Sequence, residues 1–255
     1  MSRSYAILGA TGNTGLSLLQ LLAPQPDTHV DAYCRSRSKL FRLSPELETR
    51  QNVTIHEGAI SDIALLANCL KGTRAAFLCV AVAGNTPNCT VAQDTARSVV
   101  TACELLRKEK PRALLPRLVI LSALPVGDHS GAFFNRLMHT GLSGLYGDLE
   151  KAEAYLLERR DWVSATFVKP GLLVIDAQRG HQVLGKPGES PPLSYLDLAA
   201  AMVEVADAEG EKYANRSVGV FAKAGGAKLS WWGPLEVLKG LVIHFLPWTY
   251  PWLKS

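Results

Sequence analysis

Apolar runs short enough to be strands alternate with longer stretches of helical period along this chain, the pattern of repeated βα units and a parallel sheet. Seven runs read as strands: Tyr5–Leu8, Val30–Cys34, Val53–His56, Ala75–Val82, Leu118–Leu121, Val163–Val168 and Ser217–Phe221. Between them, Gly15–Leu22 reads as a helix stopped by Pro24 and Pro26. Another helix has Asp62 at its N-cap and Leu65, Leu66, Cys69 and Leu70 along its apolar face. Thr90–Lys108 carries Val91, Ala92, Thr95, Val99, Ala102, Cys103 and Leu106 on one stripe. Two further helices cover Asp148–Arg160 and Tyr195–Ala208, the second with Asp197 placed to cap it. Residues 125–147 hold five glycines and two histidines and read as a loop with some local helix. No repeat or linker divides the pattern. The expected fold is α/β, a doubly wound parallel sheet in a single domain over residues 1–255, with segments within 125–147, 172–195 and 222–255 covering a substrate.

Composition narrows the class. Of 255 residues, 47% are apolar and 20% charged, which supports a sizeable core and excludes a disordered chain or a coiled coil. The net charge of +4 is too small and too scattered for a nucleic-acid partner but suits an anionic cofactor. Five cysteines contain no CxxC pair, so neither a disulfide framework nor a zinc site is expected, and they read as reduced thiols of a cytoplasmic protein. The start, Met1-Ser-Arg-Ser-Tyr5, lacks the features of a signal peptide. The most apolar stretch, Leu235–Tyr250, is interrupted by Glu236, Lys239, His244 and Pro247 and does not read as a membrane span.

The candidate chemistry begins at Gly9-Ala-Thr-Gly12-Asn-Thr-Gly15, which follows the first strand and opens the first helix. There Gly9 permits a tight turn, Gly12 lets backbone approach a pyrophosphate, and Gly15 lets helix and sheet pack closely. Thr11, Asn13 and Thr14 complete the loop, whose free N–H groups would face the anion. A dinucleotide site is expected. After the second strand, where NAD-binding proteins commonly offer a carboxylate to the ribose, stands Arg35. Asp31 lies inside the strand and points away. Arg35, Ser36, Arg37 and Lys39 form a compact set of cations and a hydroxyl suited to a 2′-phosphate, so NADP(H) is expected over NAD.

At these residues the chain resembles the atypical short-chain dehydrogenase/reductases with an NAD(P)-binding Rossmann domain, including the NmrA-like group. GATGNTG at 9–15, AYCRSRSKL at 32–40, HEGAISD at 56–62 and VKPGLL at 168–173 carry the resemblance. More narrowly, RSKLFRLSPEL at 37–47, DLEKAEAYL at 148–156, LSYLDLAAAMVEVAD at 193–207 and the Trp-rich end are similar to the fungal averufin oxidase family, which is associated with anthraquinone and xanthone pathways. The resemblance implies that Ala59 and Ile60 lie beside the adenine, Cys79, Val80 and Ala81 beside the ribose, and Pro170 against the nicotinamide. Related proteins often have Asp where Ala59 stands, so backbone or Asp62 would have to bond the adenine.

In such dehydrogenases a Ser ends the fifth strand and a Tyr stands four residues before a Lys, whose charge lowers the phenol pKa. Here Ser122 ends the strand and Tyr146 follows, but Glu150 holds the i+4 place and Lys151 is i+5, about 140° around the helix. The candidate catalytic set is Ser122, Tyr146 and Lys151, with the pairing resting on a helix irregularity beside Gly147. Tyr146 reads as a proton donor or a wall of the pocket, and Asp148 as a helix N-cap. His129 and His139 are further acid/base candidates, each also readable as an exposed loop histidine, and Lys169 faces either the nicotinamide or solvent. No metal constellation appears.

Leu235, Leu238, Leu241, Val242 and Phe245 recur at helical spacing and, with Trp231, Trp232, Trp248 and Trp252, would pack on the protein, cover a flat substrate or touch a membrane surface. The resemblance implies an NADPH-dependent oxidoreductase acting on an aromatic polyketide of the anthraquinone or xanthone type in fungal secondary metabolism. The alternatives are an NADP(H)-sensing binding protein and a non-redox isomerase or cyclase. The expected partner is a small aromatic molecule and not nucleic acid, bound by a monomer or homodimer.

Overall fold

The computed structural model describes residues 3–82, 84–111, 114–124, 137, 139–184, 192–223 and 233–253. Its strands are β1 (Arg3–Leu8), β2 (Thr28–Cys34), β3 (Val53–Glu57), β4 (Ala75–Leu78), β5 (Arg117–Leu121), β6 (Ala165–Pro170), β7 (Leu173–Val174), β8 (His181–Leu184), β9 (Leu193–Ser194) and β10 (Arg216–Ala222). Its helices are α1 (Asn13–Leu22), α2 (Arg37–Leu43), α3 (Ile63–Leu70), α4 (Val91–Glu109), α5 (Ser143–Leu157), α6 (Tyr195–Asp207), α7 (Gly233–Phe245) and α8 (Tyr250–Leu253). Eight strands form one sheet in the order β3-β2-β1-β4-β5-β6-β10-β8, and β7 pairs with β9 apart from it. All neighbours in the large sheet run parallel except β8, which pairs antiparallel with β10.

Strand alternation divides the core into two layers. Ala6, Leu8, Ala76, Leu78, Leu118 and Ile120 face α3, α4 and α5, while Tyr5, Ile7, Val30, Ala32, Phe77 and Val119 face α1 and α6. Because both faces are covered, the central strands β1, β4, β5 and β6 read as near-continuous apolar runs. The order reverses between β1 and β4, which opens a crevice at the carboxyl ends of these strands.

Several expected boundaries move. The fourth strand stops at Leu78, leaving residues 79–82 as a loop. The chain after β2 turns into α2, where the Ser36 hydroxyl accepts the Lys39 N–H and Leu40 is buried. At α6 the N-cap is Ser194, whose hydroxyl accepts the Asp197 N–H; the buried Asp197 carboxylate accepts N–H groups from Arg179 and Gly180 instead. The edge strand β8 lacks a strong alternating signal and was not expected. The tail pattern does form a helix, α7.

The largest shift concerns Asp148. The helix begins at Ser143, so Asp148 is interior and caps a different helix, accepting N–H groups from Ala92 (2.8 Å) and Gln93 (3.1 Å) at the start of α4. Burial works against its charge, but these donors, the Gln93 amide and the Cys89 thiol outweigh it and hold the carboxyl below its ordinary range. A depressed folded pKa stabilises the fold above the unfolded value of about 3.9 and ceases to as pH falls through the folded one. Asp148→Asn is therefore expected to cost about 2 kcal/mol of unfolding free energy at neutral pH. In denaturant melts the gap from wild type should close on acidification below about pH 4; a gap independent of pH would contradict the cap.

Candidate active site

The glycine turn between β1 and α1 is built from close backbone approaches. Gly9 has φ +90°, and a Cβ there would lie 2.7 Å from the Cys79 carbonyl oxygen. A Cβ on Gly15 would collide with the Gly9 carbonyl. Gly12 donates its N–H to Gly9 (3.0 Å) and is the N-cap of α1, with no side chain to offer. The first-turn N–H groups of α1, which have no intrahelical partner, thus meet a cradle kept clear of side chains. Thr14 and Gly15 are buried, whereas Gly12 and Asn13 are exposed and Thr11 is half-buried. The cradle suits a pyrophosphate.

Of the basic set after β2, not all is available. Arg37 donates its guanidinium to the Ile55 carbonyl (3.0 Å) and its N–H to Glu57 (3.1 Å), which ties it to β3. Ser36 is occupied as the α2 cap. Arg35 and Lys39 are exposed at the end of β2. Asp31 is engaged with His56 (2.9 Å) on β3. Farther along, the Tyr33 hydroxyl donates to the Ala59 carbonyl (2.7 Å), with Ile60 next in chain, and Asp62 caps α3 through the Leu65 N–H (3.0 Å). Asp62 therefore spends an oxygen on its own helix. Cys79 adjoins the glycine turn, half-buried, and burial pushes its thiol up, which disfavours the thiolate. Val80 is half-buried and Ala81 exposed in the same loop.

At the ends of β5 and β6 a polar cluster lies out of solvent. The Ser122 hydroxyl donates to Glu153 Oε1 (2.5 Å), and Lys169 Nζ donates to Glu153 Oε2 (3.0 Å). Lys169 thus reaches Glu153 on α5 rather than solvent. Burial raises the Glu153 carboxyl above its ordinary range, against the pull of Lys169 and the Ser122 hydrogen bond. Sequence reasoning missed Glu153. The available signal was its place seven residues after Tyr146, about 20° from it around the helix, and thus on the same face.

Tyr146 is buried, its ring centroid 5.5 Å from that of His139. His139 in turn lies 3.5 Å from Glu150. Burial pushes the Tyr146 phenol up to about 12, and no cation among the described residues opposes the shift. Lys151 is exposed, and α5 runs unbroken through Gly147, so the pairing of Lys151 with Tyr146 does not form. The spacing itself is the reason: an i+5 residue points to another side of a regular helix. Pro170 ends β6, buried, and its carbonyl accepts the Leu124 N–H (3.2 Å). His129 lies outside the described residues. Among the described residues no group of His, Cys, Asp and Glu could hold a metal.

A family model described as NAD(P)H-binding matches residues 9–209, from the glycine turn through α6. The chain belongs to this NAD(P)H-binding family. It is 46% identical over 251 residues to oxidoreductase ordB of Dothistroma septosporum, covering 97% of this chain and 93% of that one. Oxidoreductase stcQ of Emericella nidulans is 47% identical over 258 residues, covering 98% and 94%. Among solved structures, a short-chain dehydrogenase/reductase of Veillonella parvula in complex with NADP superposes with a TM-score of 0.70 at 20% identity, covering 91% of this chain and all of that one. At that identity the likeness shows the fold.

In this NAD(P)H-binding chain the tail docks beside the crevice. Buried Asn85 donates to the Gly240 carbonyl (2.9 Å) and accepts the Gly144 N–H (2.8 Å), joining α7 to the start of α5. Leu235, Leu238, Val242 and Phe245 face outward, as do Trp248 and Trp252, while Trp231 and Trp232 lie outside the described residues. No helix among the described residues is long and apolar enough to cross a membrane.

Tyr146 has a raised phenol and, among the described residues, no lysine beside it, so the Tyr–Lys device is not formed. Tyr146→Phe is expected to change turnover by less than about tenfold, against the 100-fold or more that loss of a general acid brings. A 100-fold fall in kcat with unchanged cofactor affinity would make Tyr146 the proton donor after all.

Proposed function

We propose that the chain is an NADPH-dependent oxidoreductase that reduces a carbonyl of an aromatic polyketide of the anthraquinone or xanthone type. The observation that carries this reading is the uncapped, glycine-lined start of α1 at the point where the strand order reverses. Backbone of Thr11, Gly12, Asn13, Thr14 and Gly15 holds the pyrophosphate, with Gly9 making the turn. Arg35 and Lys39, exposed where NAD-binding proteins commonly offer a carboxylate, take the 2′-phosphate, and Ser36 orders the turn between them. Ala59 and Ile60 flank the adenine, Cys79, Val80 and Ala81 the ribose, and Pro170 the nicotinamide. The reduced nicotinamide, when bound, supplies a hydride. Ser122 bonds the substrate oxygen, while segments within 125–147, 172–195 and the tail cover the pocket.

The relatives' printed name, oxidoreductase, supports redox chemistry. The substrate class rests on the resemblance to the averufin oxidase family. The free cysteines suit a cytoplasmic location. One observation favours a second reading, an NADP(H)-sensing binding protein: Lys151 is turned away from Tyr146. The buried Ser122–Glu153–Lys169 cluster weighs for the enzyme.

Incubating the protein with candidate anthraquinones and NADPH deuterated at C4 is expected to place deuterium on the product carbon. Unlabelled product would mean isomerisation or ring closure, and tight binding with no product from any candidate would mean a sensor. Arg35→Ala is expected to weaken NADPH by about 30-fold, the worth of a charge-assisted contact, and NADH little. Equal weakening of both would refute the 2′-phosphate role.

A further inference from the structure

Reduction of a carbonyl requires a proton, and Tyr146 has no lysine beside it among the described residues to ease release of its own. Three side chains from three elements meet instead at the carboxyl edge: Ser122 after β5, Glu153 on α5 and Lys169 on β6, all buried or nearly so. Taking a carboxylate and an ammonium out of water is costly, and apolar side chains would pack there without that cost. The geometry points to a proton relay in which Glu153, held by Lys169, delivers through Ser122 the proton that a substrate carbonyl takes up. This rests on the reductase reading above and gives that reaction its acid.

The step balances. Hydride from the reduced nicotinamide forms the new C–H bond, and the carbonyl π pair moves to oxygen. When Glu153 is protonated, its O–H donates to the Ser122 oxygen across the contact that Ser122 otherwise donates, and the Ser122 hydrogen turns to the substrate. The substrate oxygen takes that proton, Ser122 takes the Glu153 carboxyl proton, and the resulting carboxylate remains against the Lys169 ammonium. A solvent proton then restores Glu153. Ser122 is the catalytic residue, and Glu153 and Lys169 are positioning residues that act through it.

The surroundings suit a carboxyl that changes charge. Lys169 faces it from β6, and Glu150 stands one turn earlier on its own helix. From α4 come Ala92, Thr95 and Ala96, none of which titrates. These line a cavity of about 20 Å³ beside Ser122 and Glu153, room for one water through which a proton can return. Burial favours the protonated carboxyl from which the relay starts, and Lys169 favours the charged form in which it ends.

The test is the pH dependence of kcat for wild type, Glu153→Gln and Lys169→Met, with the full chain and an anthraquinone that accepts label. Wild-type kcat should fall as pH rises through ionisation of Glu153. Glu153→Gln should lower kcat 100-fold or more and abolish that limb, with NADPH affinity unchanged. Lys169→Met, which removes the partner of the carboxylate, should move the limb to higher pH. Wild-type kcat and limb in Glu153→Gln would overturn the relay. Infrared titration of the wild-type protein with bound NADPH serves if either variant fails to fold. A carboxyl band titrating together with the kcat limb supports the relay; carboxyl bands that all titrate in the ordinary acidic range overturn it. Absence of label transfer from wild type would instead defeat the reductase reading, with the infrared titration still reporting on Glu153.

Discussion

The approach of three backbone segments at the first strand-to-helix turn sets the geometry of the rest. Gly9, at φ +90°, presses against the Cys79 carbonyl, and Gly15 against the Gly9 carbonyl. Any side chain at either place would push α1 off the sheet. The N-cap between them is Gly12, so no side chain caps α1, and its N–H groups remain for an anion. The same pinch ties the end of β1 to the loop after β4, where the strand order reverses. Fold and cofactor cradle are thus one constraint.

Around that crevice α5 has two tasks on two sides. Asp148 turns toward α4 and is held charged by backbone donors, whereas Glu153, about 140° farther around, turns toward the strand ends and is held against ionisation by burial. Two carboxylates five residues apart are driven in opposite directions by their surroundings, the arrangement by which one is structural and the other free to exchange a proton. The lysine that a Tyr–Lys pair would take from the helix comes instead from strand β6, and it meets a glutamate rather than the phenol. The polar cluster at the strand ends is therefore organised around Glu153.

What was legible in the sequence follows from how local each signal is. The glycine turn, the βα alternation and the Asp62 cap depend on residues within one turn or one strand, and they read directly. The basic stretch 35–39 was legible as charge but not in its division of labour, because Arg37 bonds to Ile55 and Glu57, 18 and 20 residues away. Asp148 looked like a cap and is one, but of α4, 55 residues back. Glu153 carried no motif at all, since its meaning lies in Ser122 and Lys169, which the sheet brings to it. The antiparallel strand β8 escaped for a similar reason: its pairing with β10 is a tertiary fact.

The cradle at Gly9–Gly15 should bind NADPH, with selectivity from the cations after β2. Equilibrium titration of the purified protein with NADPH and, separately, NADH measures it most directly. Saturable one-to-one binding is expected, with NADPH tighter by about tenfold or more, the effect of one good contact to the 2′-phosphate. No saturable binding of either nucleotide would contradict the claim.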